Sequence, residues 1–447
     1  MIILEKVIFY LLIFCLPFQT RKVLYQFGDG FSEWTSVYLY LTDLLILLIF
    51  LFWFLRMRKE RFFKNGLTVR KVQEIIKCPG FWLAAFLIVC LISLVQAKNI
   101  QLGFYHWIKL LELAGLFFYL RYNFRQLFNF ERLAQILIAS GLFQSFIALG
   151  QYTSQKSLGL RYLFESPLGQ ERAGVAKIVV EGTKMIRPYG SFPHPNLLAA
   201  FLFLSIFCFY FLWLNKKHSF IKSCSLLIVF CLLIFALGLT FSRMIIIAFL
   251  LVSLLYFILT FLRARQTTDN NLFKRIISIF LLFAVFCSLF TVLVWPEISS
   301  RWQISLTEQS VGLRVFYNET AFLIIKEHAW LGIGLGNFVW EIREMLHLLS
   351  AWLHQPVHNI YLLIASEIGL IGLILFLVFI FQLFRKISRK EYFLLLLVSS
   401  FLFIGLFDHF FWTLQQGQLM FWLVLGIMGA NCSVRLTDRA TPSVGAR

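Results

Sequence analysis

Four short segments hold most of the side chains able to do chemistry. The first is Arg187-Pro-Tyr-Gly-Ser-Phe-Pro-His194-Pro-Asn196, and the second is the polar break Thr240-Phe-Ser-Arg243. The third begins with Arg314 and Tyr317 and continues through Gly332-Ile-Gly334-Leu-Gly336-Asn337. The fourth is His354-Gln-Pro-Val-His358-Asn359, followed by Glu367-Ile-Gly369-Leu-Ile-Gly372. Guanidinium groups bind phosphate through paired N–H donors. A helix that opens on proline turns its free N–H groups outward, toward an anion. Arg187 beside such a helix entry suits an anion, and it equally suits a lipid headgroup reached by snorkelling. A neutral imidazole, as at His358, is the natural base for an alcohol. His354 and His358 have the i, i+4 spacing of a zinc pair, but Pro356 interrupts any helix between them and no HExxH glutamate is present, so no metal is expected. The GxGxG run has no preceding strand and no following Lys-Ser or Lys-Thr, which argues for a turn permitting close backbone approach rather than a nucleotide loop.

These segments must be positioned by a membrane protein. Of 447 residues 60% are hydrophobic and 14% charged, and 80 are aromatic, which excludes a disordered chain, a coiled coil and a secreted disulfide scaffold. Eight cysteines lie in or beside apolar runs and predict no disulfide framework. Apolar stretches near 4–19, 36–55, 80–96, 104–120, 133–152, 196–214, 223–241, 244–262, 276–294, 359–384, 392–409 and 417–430 predict about twelve transmembrane helices in an all-α polytopic bundle. The first has no small-residue cleavage site and reads as a span rather than a signal peptide. The block 223–262 is too long for one crossing, and Arg243 marks its turn as the only charge within it. With the N-terminus inside, inner loops carry 26 of the 41 lysines and arginines, so both termini are expected in the cytoplasm. The net charge of +19 thus reflects membrane topology, and no nucleic-acid partner is expected. Seven of the eight histidines then fall on or near the outer side, including His347 and His409.

The chain divides into helices 1–5 over 1–152, a long outer loop over 153–195, helices 6–9 over 196–294, a second long outer loop over 295–358, and helices 10–12 with a cytoplasmic tail over 359–447. The first loop predicts a β-hairpin from Val175–Val180 and Met185–Tyr189. The second predicts surface helices over Leu313–Lys326 and Asn337–Leu349. Charges within the spans are few: Asp43, Lys109 paired with Glu112, Glu367, and Asp408 near the outer rim. A coupled transporter would more often carry several mid-membrane acids.

In the order and spacing of these four segments the chain resembles the O-antigen ligase and polymerase superfamily of bacterial membrane glycosyltransferases, well over 185–380 and by span count alone over the first 150 residues. The resemblance implies a GT-C-like helical membrane fold in the bacterial inner membrane with an outward-facing site. It implies a glycan donor on undecaprenyl pyrophosphate, an acceptor that is a glycan, lipid or protein, and no cofactor or metal. By the same resemblance His358 is the catalytic base, and Arg187, Arg243 and Arg314 bind the donor pyrophosphate. His194, Asn196, Arg301 and Asn359 are supporting candidates. Ligase, polymerase and protein O-oligosaccharyltransferase share these motifs, and a flippase for lipid-linked glycans is the competing class.

Overall fold

The computed structural model describes residues 1–28, 31–59, 78–215, 220–302, 309–346 and 353–432. The basic inner loop over 60–77, His347 and the tail beyond 432 lie outside them.

Each of the twelve apolar stretches is helical over most of its length. They form α1 (Ile2–Cys15), α2 (Leu41–Lys59), α3 (Pro79–Ser93), α4 (Ile100–Leu127), α5 (Phe130–Ser154), α6 (Pro195–Asn215), α7 (Phe220–Leu239), α8 (Arg243–Thr267) and α9 (Asn270–Leu293). After two helices of the second long loop, α10 (Trp295–Trp302) and α11 (Gln309–Glu327), and the short α12 (Phe338–Met345), come α13 (Ile360–Lys386), α14 (Tyr392–Ile404), α15 (Phe410–Thr413) and α16 (Gln415–Cys432). Among the described residues six helices are long and apolar enough to cross a membrane: those at Pro79–Gln96, Phe130–Ser154, Pro195–Asn215, Arg243–Thr267, Asn270–Leu293 and Ile360–Lys386. The chain is therefore an all-α polytopic membrane protein. Helix starts carry the expected caps: the Asn99, Asn129, Asp269 and Asn359 side chains each accept a first-turn N–H.

α6 is apolar on every face because it is enclosed on every face, with 94% of its apolar window buried. It packs against α5, α7, α8, α9, α14 and α16, and so fixes where its own first residues, Pro195 and Asn196, lie. Buried charge ties the N-terminal helices together. Glu5 of α1 accepts from Arg56 of α2 (3.0 Å) and Tyr119 of α4 (2.9 Å). Lys109 of α4 bridges Asp43 of α2 (2.5 Å) and Glu112 (3.0 Å), so the expected local pair is part of a triad.

The first long loop carries the expected hairpin in tighter form. β3 (Lys177–Val180) pairs with β4 (Thr183–Ile186) across Glu181-Gly182, whose φ values of 47° and 80° make the two-residue turn suited to strand twist. A hairpin not anticipated from sequence precedes α2, in which β1 (Arg21–Gln26) pairs with β2 (Ser36–Tyr40). Residues 36–40, expected as the start of a span, are instead extended, since Ser-Val-Tyr-Leu-Tyr alternates buried and half-buried side chains with period two. α14 likewise stops at Ile404 rather than reaching 409, and residues 405–409 form the turn into α15.

The glycine-rich turn is a docking element. Gly332, Gly334 and Gly336 all have positive φ (66°, 93° and 73°), and α13 breaks at Gly369 (φ 77°) where this turn meets it. Backbone bonds close the junction: Ile333 N–H donates to the Ser366 carbonyl (2.9 Å) and Leu370 N–H to the Ala329 carbonyl (2.8 Å). A Cβ at 369 would run into the Trp330 carbonyl, whereas one at Gly312 meets open space. Gly369→Ala should cost about 3 kcal/mol in thermal or denaturant unfolding, with Gly312→Ala near neutral. Equal effects of the two would remove the docking role.

Candidate functional site

The site assembles where helices begin and end. Asn196 enters from the first turn of α6, and its carboxamide joins three segments. Its Oδ1 accepts from Arg187 Nη2 (2.7 Å) and Ser242 Oγ (2.9 Å), and its Nδ2 donates to Asp408 Oδ2 (2.7 Å). Arg187 follows β4, is buried, and also donates from Nε to the Thr240 carbonyl (2.7 Å). Thr240 and Ser242 belong to the turn between α7 and α8, which folds back through Phe241 at φ 47°. Asp408 is buried and also accepts from the His409 N–H (2.8 Å). The His409 ring meets His358 edge to face at 4.9 Å between centroids, and Tyr317 of α11 stacks on the other side of His358 at 6.1 Å and 15°. The Tyr317 hydroxyl is held by the Leu353 carbonyl. His358 is partly exposed, but its Nδ1 is buried and has no hydrogen-bond partner among the described residues.

The electrostatics are those of neutral imidazoles around one carboxylate and fixed cations. Burial pushes the His194 and His409 imidazoles down from 6.5 to about 3, with Arg187 adding to the effect at His194 and His358 at His409. Burial lowers His358 too, with the Asp408 carboxylate opposing and Arg314 adding. Burial alone would raise the Asp408 carboxyl, but the positive charge of His409, His358 and His194 in their protonated forms, together with Arg314, brings it to about 2. At neutral pH the cluster is one carboxylate, three uncharged rings and two guanidinium groups.

The structure thus brings together Arg187, His194, Asn196, Arg314 and His358 of the residues singled out from sequence. Arg243 lies one residue beyond Ser242, half-buried at the start of α8, and lines a different space. That space is a mostly apolar cavity of about 220 Å³ between α7, α8 and α9, walled by Leu237, Phe241, Phe249 and Phe290. Asn359 serves as the N-cap of α13, its Oδ1 accepting from Tyr361 and Leu362. Arg301 sits in α10, and its side chain is outside the described set. His354 binds the Leu346 carbonyl (3.1 Å) in an irregular segment that precedes α13, so the two histidines of the i, i+4 pair share no helix. Glu367 is buried and receives the Phe338 N–H (3.3 Å) and Trp412 Nε1 (3.4 Å), which makes it a partner of the glycine-rich turn. Asp408 and His409 were not singled out from sequence for catalysis. The available signal was an acid next to a histidine at the end of an apolar run.

Residues 227–377 match the family model described as O-antigen ligase, a span that contains Arg243, Arg314, His358 and the glycine-rich turn but neither Arg187, Asn196 nor Asp408. The match supports the O-antigen ligase and polymerase superfamily. No curated protein matches the chain.

Holding imidazoles neutral makes the fold acid-sensitive. His194 and His409 titrate near 3 when folded and near 6.5 when unfolded, so the unfolded chain binds more protons between those values and stability falls as pH drops below 6.5. Asp408 adds its own loss as pH falls from 3.8 to about 2. Thermal unfolding in detergent should give a Tm several degrees lower at pH 5 than at pH 7.5. A Tm unchanged over that interval would mean the rings are hydrated rather than buried.

Proposed function

From its place in the O-antigen ligase and polymerase superfamily we propose that the chain is a membrane glycosyltransferase of the O-antigen ligase type. It moves a glycan from undecaprenyl pyrophosphate to an acceptor hydroxyl at the outer face of the bacterial inner membrane, without a metal and with inversion. The observation that carries this reading is the His358 ring: burial keeps it neutral, its buried Nδ1 has no hydrogen-bond partner among the described residues, and the Asp408 carboxylate and the Arg314 guanidinium both act on it.

In this reading the acceptor O–H gives its proton to His358 as its oxygen attacks the anomeric carbon. The bond from that carbon to the pyrophosphate oxygen breaks, and the electron pair leaves with undecaprenyl pyrophosphate. Asp408 stabilises the imidazolium that forms. Arg314, partly exposed and within Coulombic reach of His194, His358, Asp408 and His409, is placed to meet the developing phosphate charge. Arg243 stands at the apolar cavity, where a polyprenyl chain would lie with its pyrophosphate at the arginine. Arg187 acts from behind through its charge and by holding Asn196.

The flippase reading gains one observation, because discontinuous helices are typical of transporters and α13 is broken. Here, though, Ile333 and Ala329 satisfy the backbone at the break, which leaves no ligand cradle there. Polymerase and protein O-oligosaccharyltransferase use the same site and differ in acceptor.

Purified protein in a bilayer, given undecaprenyl-pyrophosphate glycan with chelator, should transfer it to an acceptor. A single size step marks a ligase and a ladder a polymerase, while leaflet exchange of donor without transfer overturns the reading. His358→Ala should keep donor binding and lose roughly 10²–10⁴ in rate. Arg243→Ala and Arg314→Ala should each weaken donor binding by about 1.5–3 kcal/mol. Retained anomeric configuration would exclude the single displacement.

A further inference from the structure

Beside His409, the first hairpin, α4 and the start of α16 enclose a partly open cleft of about 70 Å³. Trp34 and Thr413 are walls of this cleft and neighbours of His409. The Trp34 ring lies 5.2 Å from the His409 ring at 80°, and Thr413 Oγ1 bonds His409 Nδ1 at 2.6 Å. The cleft and the histidine pair are therefore contiguous.

Two buried polar atoms from cleft-lining residues have no partner among the described residues: the Tyr38 hydroxyl and Gln415 Oε1. Both residues are at least nine-tenths buried, at 5% and 4% exposure. Their orientation is fixed by other bonds. Gln415 Nε2 donates to Thr42 Oγ1 (3.1 Å) and Asp43 Oδ1 (2.6 Å), so flipping the amide would set its oxygen against a carboxylate. The Tyr38 ring is packed under the Arg21 guanidinium at 4.3 Å, and the nearby Ser36 hydroxyl gives its proton to the Ser32 carbonyl at 2.7 Å, so toward Tyr38 it can only accept. A buried hydroxyl and a buried amide oxygen are costly when left unpaired, and two in one cleft point to a ligand that pairs them.

The other walls define that ligand's chemistry. Lys109 is paired with Asp43 and Glu112, Glu33 is paired with Arg21, and Glu367 accepts from the Phe338 N–H and Trp412 Nε1, so among the described residues the lining has no spare cation for an anionic ligand. Trp34 and Tyr105 are half-buried and present aromatic faces, which suit the C–H face of a pyranose. At about 10–15 Å³ for each water-sized group, the space takes the hydroxyl-bearing edge of one sugar ring.

We propose that this cleft binds a neutral saccharide, the sugar of the acceptor that presents its hydroxyl to His358. This assignment rests on the transferase reading for the acceptor's role, but saccharide binding is measurable without transfer. The hydroxyls donate to Gln415 Oε1 and exchange hydrogen bonds with Tyr38, while the ring lies against Trp34.

The experiment is saturation-transfer NMR on the full chain in nanodiscs, with methyl glycosides of glucose, galactose and N-acetylglucosamine as probes. At least one should bind, bind equally to His358→Ala, bind about tenfold more weakly to the isosteric Tyr38→Phe, and fail to bind detectably to Trp34→Ala. In the transfer assay Tyr38→Phe should raise the acceptor KM about tenfold with kcat and donor KM unchanged. No binding by any probe, or binding indifferent to Tyr38 and Trp34, overturns the cleft and leaves it water-filled. Cleft-dependent binding with no transfer to any acceptor keeps the cleft and removes the transferase reading. Transfer with an unmoved acceptor KM in Tyr38→Phe removes the cleft alone.

Discussion

The geometry of the site depends on one carboxamide placed between two buried charges. Arg187 and Asp408 are opposite in sign, and burying each carries a desolvation penalty that only good pairing offsets. Asn196 stands between them, accepting from the arginine and donating to the acid. Each charge is thus hydrogen-bonded to the same carboxamide. The Asp408 carboxylate acts on the histidines beside it, and the Arg187 charge on His194. A lysine or acid at 196 would neutralise one partner and repel the other, so a neutral donor and acceptor suits the position. The enclosure of α6 makes this arrangement rigid, since Asn196 cannot shift without moving the most buried helix of the bundle.

The same constraint explains why the chemistry collects at interruptions. Inside an apolar helix every backbone group is already bonded, and a spanning helix has little else to offer a polar ligand. The start of α6, the turn after α7, the break in α13 and the end of α14 are where polar groups are free to face one another. Breaks are costly in a bilayer, and here they satisfy each other. The glycine-rich turn bonds both sides of the break at Gly369, and Glu367 receives the amide at the start of α12 together with Trp412. Gly332 and Gly369, both at positive φ, let the turn and α13 approach within bonding distance, while a Cβ on Gly334 or Gly336 would run into Ala97 or the His106 ring.

That logic also separates what was legible in the sequence from what was not. Long apolar runs specify helices because the pattern is local, so all twelve were visible, as were the hairpin turn at Glu181-Gly182 and the close approach at Gly332–Gly336. Arg187, His194, Asn196 and His358 stood out because a polar group at the edge of an apolar run requires an explanation, whereas Arg314 was singled out through the family resemblance. Asp408 and His409 escaped because Phe403–Phe407 keeps the run apolar after α14 has ended, and only packing shows the helix stopping at Ile404. The first hairpin escaped for a related reason. Val37, Tyr38, Leu39 and Tyr40 count as apolar in any window, while their alternation is too short to stand against the 19-residue helix that follows. Contacts between elements remote in sequence, such as Gln415 with Asp43, have no local signature at all.

The surroundings of the paired rings of His358 and His409 are asymmetric. Arg187 and Arg314 act on the histidine cluster through their charge, and Arg243 lines the apolar cavity between α7, α8 and α9. Trp34, which packs against His409, lines a separate cleft with Tyr38, Tyr105 and Gln415. An inverting displacement has the same asymmetry, because the leaving pyrophosphate and the incoming hydroxyl must occupy opposite faces of one carbon. The leaving side accumulates negative charge and gains from fixed cations in a low-dielectric site. The incoming side loses a proton and gains from a neutral base with nothing nearby to compete for the hydroxyl. In the proposed mechanism, guanidinium groups on both faces of the reacting carbon would hold the donor as well, but they would lower the basicity of His358 further and weaken its proton abstraction. That mechanism therefore favours a cation-rich wall for the leaving group and a neutral aromatic one for the acceptor.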